Sequence, residues 1–97
     1  MTKAEARRRL AKLPDWTLAP NGKSIRRELV LKDFLAAVAL IRRVATVAEA
    51  AGHHPDLHLT GYRKLKIVIS THEAGGLSPK DFRLAAEIDE LLPNDAR

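Results

Sequence analysis

A two-residue alternation of apolar and polar side chains, beginning near residue 56, most restricts how this chain can fold. Its apolar members form two groups on either side of Thr60-Gly61-Tyr62, and they are Leu57, Leu59, Leu65, Ile67 and Ile69. Successive side chains of a β-strand point to opposite faces, so each group predicts a strand with one apolar face. Joined by a short turn, the two strands form an antiparallel hairpin whose apolar face must be covered by other elements.

A second hairpin is predicted nearer the N-terminus. The segments 15–18 and 24–30 carry strand-like residues and are separated by Pro20-Asn21-Gly22, a sequence typical of a turn. Together the two hairpins supply four strands.

Two helices are predicted before the alternating region. Thr2 and Glu5 have the spacing of a capping box, and Pro14 stops this first, short helix. Asp33 can cap a long second helix that ends near Gly52. We expect the stripe of this second helix that faces the core to contain Phe34, Val38, Ile41, Ala45 and Ala48.

A third helix is predicted after Gly75-Gly76. Ser78 is a suitable cap, Pro79 suits the first helical position, and Asp81 follows the cap by three residues. Pro93 ends the helix. We expect its buried side to contain Phe82, Ala85, Ala86, Ile88 and Leu92.

The element order αββαββα predicts an α+β fold: a four-stranded antiparallel sheet with three helices packed on one face. The length of 97 residues suits a single domain, spanning 1–97. A sheet of four strands leaves two edges, and a second copy of the chain could cover one of them.

Composition argues against several sites and partners. The absence of cysteine excludes thiolate zinc sites and cysteine nucleophiles, and it suits a cytoplasmic location. The longest apolar run, 34–41, has 8 residues and is too short to cross a membrane. The net charge is +5, yet the basic residues are spread along the chain, so we expect no nucleic-acid partner. Arg7, Arg8 and Arg9 are expected to fan around their helix.

All four histidines lie between Gly52 and His72. If the last two strands are antiparallel, His53, His54 and His72 meet at one end of the sheet. His58 alternates with leucines and should face the other side.

Three interpretations of this cluster are open: polar residues that collect at strand ends, a metal site completed by Glu49 or Asp81, and proton transfer by imidazole. His53 and His54 should point apart in extended backbone, which disfavours chelation of one metal ion by both. Asp81 suits a helix cap and also suits an acceptor for an imidazole N–H, and the two roles are compatible. Glu49 is either solvated or faces the pocket.

The segments Glu49-x3-His53-His54-Pro55, Tyr62, Thr71-His72, Gly75-Gly76-Leu77 and Asp81 resemble the signature of the pterin-4a-carbinolamine dehydratases. The resemblance runs from Trp16 to Leu92. It implies an enzyme that converts 4a-hydroxytetrahydrobiopterin to quinonoid dihydropterin and water by histidine acid/base catalysis, without a cofactor or metal, in tetrahydrobiopterin recycling. It also implies a homodimer or homotetramer.

The resemblance assigns roles to individual residues. His53 and His72 would donate protons near the 4a-oxygen, His54 would bind the pterin and assist proton movement, and Asp81 would orient a histidine. Contacts to the pterin would come from Glu49, Pro55 and the segment Thr71, His72, Glu73 and Ala74. Related proteins that serve as a Rubisco assembly factor or a transcriptional dimerisation cofactor supply the alternative, a protein-binding scaffold without catalysis.

Overall fold

The computed structural model describes residues 1–71 and 74–92, and in that part of the chain it contains three helices and four strands. In chain order these are α1 (Lys3–Leu10), β1 (Thr17–Leu18), β2 (Ile25–Val30), α2 (Phe34–Ala51), β3 (Asp56–Thr60), β4 (Lys64–Ile69) and α3 (Pro79–Leu91). The predicted order αββαββα is confirmed.

The strands form one antiparallel sheet in the order β1-β2-β4-β3. Asp56, the first residue of β3, lies opposite Val68 near the end of β4. Residues that precede β3 and residues that follow β4 therefore meet at the same end of the sheet. The β3–β4 turn lies at the other end, where Gly61 and Tyr62 both adopt left-handed backbone.

All three helices pack on one face of the sheet. Every second residue of β2 and β4 is buried, as the alternation predicts. These inward residues share a single apolar core with buried residues of each helix, among them Ala6, Leu40, Val44, Leu84 and Ile88. The other face of the sheet carries the alternate, mostly charged residues. The predicted α+β architecture is therefore correct.

The helices begin where the capping residues predict. The Thr2 hydroxyl accepts the Glu5 backbone N–H at 3.1 Å, and Asp33 accepts the Ala36 N–H at 2.8 Å. Gly52 ends α2 in left-handed backbone, at φ 62°. None of the three described helices combines the length and the apolar character that a bilayer crossing demands.

The predicted core stripe of α2 was right in part: Ala48 is buried and Ile41 packs half-buried against the core. The buried residues of the helix are Ala37, Leu40, Val44 and Ala48, whereas Phe34 and Ala45 are exposed. The helix is apolar on more than one side, so periodicity alone does not select the side that faces the sheet. Ala86 of α3 was likewise predicted to be buried and is exposed, because Leu84 takes the inward position.

Arg27, one of the basic residues spread along the chain, is buried, with 4% of its side chain exposed. It projects from the core side of β2, where its guanidinium donates to Asp89 of α3 at 2.8 Å. The Trp16 indole N–H donates to the same Asp89 oxygen at 2.9 Å. Asp15 lies 3.6 Å from the guanidinium at the protein surface. This cluster ties the first hairpin to α3.

Candidate active site

The end of α2 positions the first two histidines. Left-handed backbone at Gly52 reverses the chain, and the His53 backbone N–H donates to the Ala48 carbonyl at 3.1 Å. The following Pro55 leads the chain into β3. His53 and His54 are thereby held at the junction of α2 and the sheet.

His53 is paired with a buried carboxylate. Its Nε2 lies 2.6 Å from Oδ1 of Asp81, on the first turn of α3. The His53 side chain is 12% exposed and the Asp81 side chain 0%. A carboxylate only accepts hydrogen bonds, so Nε2 carries the proton that is shared with Asp81.

The other Asp81 oxygen is held by the protein around it. Oδ2 accepts the Thr71 hydroxyl and the Ser78 backbone N–H, both at 2.8 Å. Thr71 also exchanges a hydrogen bond with the Ser78 hydroxyl at 2.8 Å. Asp81 is therefore both a helix cap and the partner of a histidine, so the two interpretations of this residue hold together.

These contacts join three elements that are distant in sequence. His53 follows α2, Thr71 follows β4, and Asp81 lies in the first turn of α3. The buried carboxylate fixes the His53 ring in one orientation, because its own position is set by two further donors.

His54 points to a different partner, as predicted. Its Nε2 lies 2.7 Å from Oε1 of Glu49, in the last turn of α2. The two side chains are 65% and 80% exposed. Glu49 is thus solvated and also in contact with the histidine cluster, and this exposed pair is held far less tightly than the His53–Asp81 pair.

His58 and Tyr62 lie away from this cluster. His58 is exposed on the open face of the sheet, opposite Lys66, so it faces the other side as the alternation predicts. Tyr62 is 62% exposed in the β3–β4 turn, at the far end of the sheet.

Two predicted site residues, His72 and Glu73, lie outside the described residues. Of the others, Pro55 is half-buried and Ala74 is exposed. Thr71, predicted to contact substrate, is 5% exposed, and its hydroxyl binds Asp81.

A cavity of about 310 Å³ adjoins Thr71. It is lined by Lys23, Ser70, Thr71, Gly75 and Gly76. Its volume is at the lower end of the range for small-molecule sites. In residues 1–71 and 74–92, no group of three histidine, aspartate or glutamate side chains is arranged to hold a metal ion.

Sequence reasoning missed Ser78 as part of this cluster and treated it only as a helix cap. Its backbone N–H and its hydroxyl both take part in the contacts that hold Asp81 and Thr71. The capping spacing from Ser78 to Asp81 was the signal available in the sequence.

Comparison with known proteins gives one consistent result. The family model for pterin 4 alpha carbinolamine dehydratase matches residues 1–91. A protein of Chloroflexus aggregans that is provisionally named pterin-4-alpha-carbinolamine dehydratase is 49% identical over 92 residues, covering 95% of this chain and 96% of the relative. The mitochondrial pterin-4-alpha-carbinolamine dehydratase 2 of Arabidopsis thaliana is 43% identical over 97 residues, covering 98% of this chain and 52% of that protein.

Two solved structures share the fold. The crystal structure of a transcriptional coactivator/pterin dehydratase from Brucella melitensis is 25% identical, with a TM-score of 0.88, and the match covers 96% of this chain and 98% of that one. A pterin dehydratase-like protein identified as a RuBisCO assembly factor in the alpha-carboxysome is 17% identical, with a TM-score of 0.67. The match covers 79% of this chain and 88% of that one. The second likeness concerns the fold alone.

Proposed function

The chain belongs to the pterin 4 alpha carbinolamine dehydratase family, and from that membership we propose that it converts 4a-hydroxytetrahydrobiopterin to quinonoid dihydropterin and water. We further propose that the reaction uses histidine acid/base catalysis and serves the recycling of tetrahydrobiopterin. The observation that carries the proposal is the His53–Asp81 pair, with Nε2 and Oδ1 only 2.6 Å apart.

The reaction requires two proton transfers. The bond from C4a to the hydroxyl oxygen breaks, a neighbouring ring N–H gives up its proton, and a carbon–nitrogen double bond forms. Hydroxide is a poor leaving group, so a donor must protonate the oxygen as it departs. Positioned acids and bases typically contribute ~10²- to 10⁴-fold in rate to steps of this kind.

His53 is suited to the role of proton donor. The Nε2–H of His53 donates a hydrogen bond to Asp81, which leaves Nδ1 as the nitrogen that exchanges a proton with substrate. A protonated His53 gives its Nδ1 proton to the leaving oxygen and becomes neutral, with the remaining proton on Nε2. Asp81 maintains this tautomer and keeps the ring from turning.

The second proton transfer is assigned to the neighbouring histidines. In the proposal His54 binds the pterin and accepts or relays the ring proton, and its exposed position beside Glu49 gives it access to solvent. His72 is proposed as a second donor near the 4a-oxygen. Support for this role is its place in the chain directly after Thr71, whose hydroxyl contacts Asp81.

Substrate contacts are proposed around the same cluster. Glu49 and Pro55 lie on the α2 side, and the segment from Thr71 to Ala74, which includes His72 and Glu73, lies on the other side in sequence. The proposed step draws on no metal or cofactor.

Association into a homodimer or homotetramer is also proposed. β3 is an edge strand of the sheet, so its outer backbone groups could pair with a second copy. Light scattering coupled to gel filtration measures the mass directly. The cytoplasmic location stays a prediction.

The test of the proposed function is the dehydration rate of a 4a-hydroxytetrahydropterin, generated in solution and followed by its ultraviolet absorbance. We expect the wild-type protein to accelerate dehydration by at least about 100-fold over buffer. A rate equal to the uncatalysed background would contradict the proposal. The scaffold alternative then gains support, although the 17%-identical structural likeness supplies only the fold for it.

A further inference from the structure

A second cavity, of about 680 Å³, lies between α1 and α3. Half of its lining comes from α1 and the loop that follows it, and half from α3; the residues are Arg8, Arg9, Lys12, Leu13, Pro79, Phe82, Arg83 and Ala86. None of them is His53, His54, Thr71 or Asp81. Asp81 lies between Pro79 and Phe82 in sequence, but its side chain is buried against His53.

The two sides of this groove follow from helical spacing. Residues 82, 83 and 86 follow residue 79 by three, four and seven positions, so all four lie on one side of α3. Leu13 and Phe82 are each 7% exposed and form an apolar floor. The long basic side chains stand around that floor.

The cations converge here more than the sequence suggested. Arg7, Arg8 and Arg9 were expected to fan around α1, and Arg7 does line a different cavity. Arg8 and Arg9, however, both line this groove together with Lys12 and Arg83. None of the eight lining residues is acidic. The four charges therefore repel one another, and the carboxylate that pairs with one of them, Glu5 beside Arg9, is not among the lining residues.

Arg9 is the most constrained of the four. Its guanidinium carbon lies 5.9 Å from the centre of the Phe82 ring, within the range of a cation–π contact. It also pairs with Glu5 at 3.5 Å, but both side chains are about 40% exposed, so this ion pair is weak and can be exchanged for another anion. Charge and aromatic surface are thus adjacent in one place.

We propose that this groove binds a small organic anion that has a flat apolar ring and one or more acidic groups. The ring would lie on the floor of Leu13 and Phe82, and the acidic groups would pair with the surrounding arginines. The volume is within the range of small-molecule sites. The α3 side spans residues 79–86, roughly 10 Å, which is short for the groove that a docked protein helix needs.

Titration of ¹⁵N-labelled protein with 2-naphthoate tests this proposal by NMR. We expect saturable shifts of backbone amides at Lys12, Phe82, Arg83 and Ala86, and weaker binding as the salt concentration is raised from about 50 to 300 mM. Inorganic phosphate serves as an anion without a ring. Equal binding of phosphate at the same amides would contradict the role of the apolar floor, and shifts elsewhere only would contradict the site.

A charge-matched pair of variants separates the groove from the overall net charge. The double variant Arg9→Gln/Arg83→Gln removes two cations from the groove, whereas Arg42→Gln/Arg43→Gln removes two exposed cations from α2. We expect the first to weaken 2-naphthoate binding roughly three- to tenfold and the second by less than about twofold. Equal weakening by both variants would overturn the proposal.

Discussion

Replacement of Asp81 by asparagine separates the orienting role of the carboxylate from its structural role. The Ser78 backbone N–H can only donate, so the amide oxygen of the variant must face it and keep the bond now at 2.8 Å. The amide NH₂ then faces His53 Nε2, which must become an acceptor. The substitution therefore moves the ring proton of a neutral His53 from Nε2 to Nδ1.

The stability cost of this change is expected to be small. Three hydrogen bonds reach Asp81, from His53, Thr71 and Ser78. Each keeps a partner in the variant but loses its charged acceptor, which costs about 0.5–1.5 kcal/mol per bond. Removal of a fully buried charge offsets part of that sum. We expect a net loss of about 1–2 kcal/mol in the free energy of unfolding.

The loss of activity is expected to be much larger. The proposed proton donor is the ring protonated on both nitrogens. In the variant the amide NH₂ faces Nε2 and offers no acceptor for a proton there, so this donor form is lost and the acid/base cycle fails. We expect kcat/KM for the dehydration to fall by about 100-fold or more. Asp81→Ala is less informative because it leaves the donors that reach Asp81 unsatisfied, at about 1–3 kcal/mol each.

Three measurements decide this prediction. Urea denaturation gives the stability change, ¹⁵N chemical shifts of the His53 ring identify its tautomer, and the dehydration assay gives kcat/KM. Asp33→Asn is the control, because Asn caps a helix as well as Asp does and Asp33 is exposed. A variant with a reversed tautomer and a kcat/KM within threefold of wild type would refute the orienting role.

Three further tests, using five substitutions, examine the geometry of the fold and of the site. Asp89→Ala leaves the Arg27 guanidinium buried without its closest acceptor and should lower the free energy of unfolding, measured in urea, by about 2–4 kcal/mol. Asp15→Ala removes only the exposed contact at 3.6 Å and should lower it by less than about 1 kcal/mol. Equal losses would contradict the assignment of Asp89 as the main partner of Arg27. Gly52→Ala should lower the free energy of unfolding by about 1–2 kcal/mol, because alanine is disfavoured in left-handed backbone although no atom crowds the position. Gly52→Asn should lower it clearly less, because asparagine tolerates this backbone better. Thermal melts that rank the two variants the other way would argue against backbone strain as the cause. Glu49→Gln should change stability by less than about 0.5 kcal/mol, because the pair that Glu49 forms with His54 is exposed. It should change kcat/KM by less than threefold, because glutamine keeps an oxygen for the proposed substrate contact; a loss as large as that of Asp81→Asn would show that the exposed pair carries the chemistry.

The elements of the fold were predictable because their signals are local. The capping residues Thr2, Asp33 and Ser78, the left-handed stop at Gly52 and the two-residue alternation each determine the backbone within a few positions. The predicted strand segments differ from the observed strands mainly at their ends. The largest shortening is in β1, predicted over 15–18, where only Thr17 and Leu18 pair with β2.

What the sequence left undetermined depends on distant contacts. Periodicity placed Phe34 in the core, and only packing against the sheet selects Ala37 and Leu40 instead. Arg27 alternates with Ile25 and Leu29 on the inward face of β2, but its burial depends on its main partner, Asp89, which is 62 positions away.

The candidate site was predicted in part for a similar reason. Antiparallel pairing was enough to bring the residues before β3 close to those after β4, and thus His53 to Thr71. The choice of His53 as the partner of Asp81, 28 positions away, required the structure.

The most direct test of the central claim compares His53→Ala with His58→Ala in the dehydration assay. His53 contacts the buried carboxylate, whereas His58 lies exposed on the open face of the sheet, so the two variants remove the same side chain from different surroundings. We predict that kcat/KM falls by about 100-fold or more for His53→Ala and by less than twofold for His58→Ala. Wild-type activity in the His53→Ala variant, with its fold intact, would contradict the proposed mechanism.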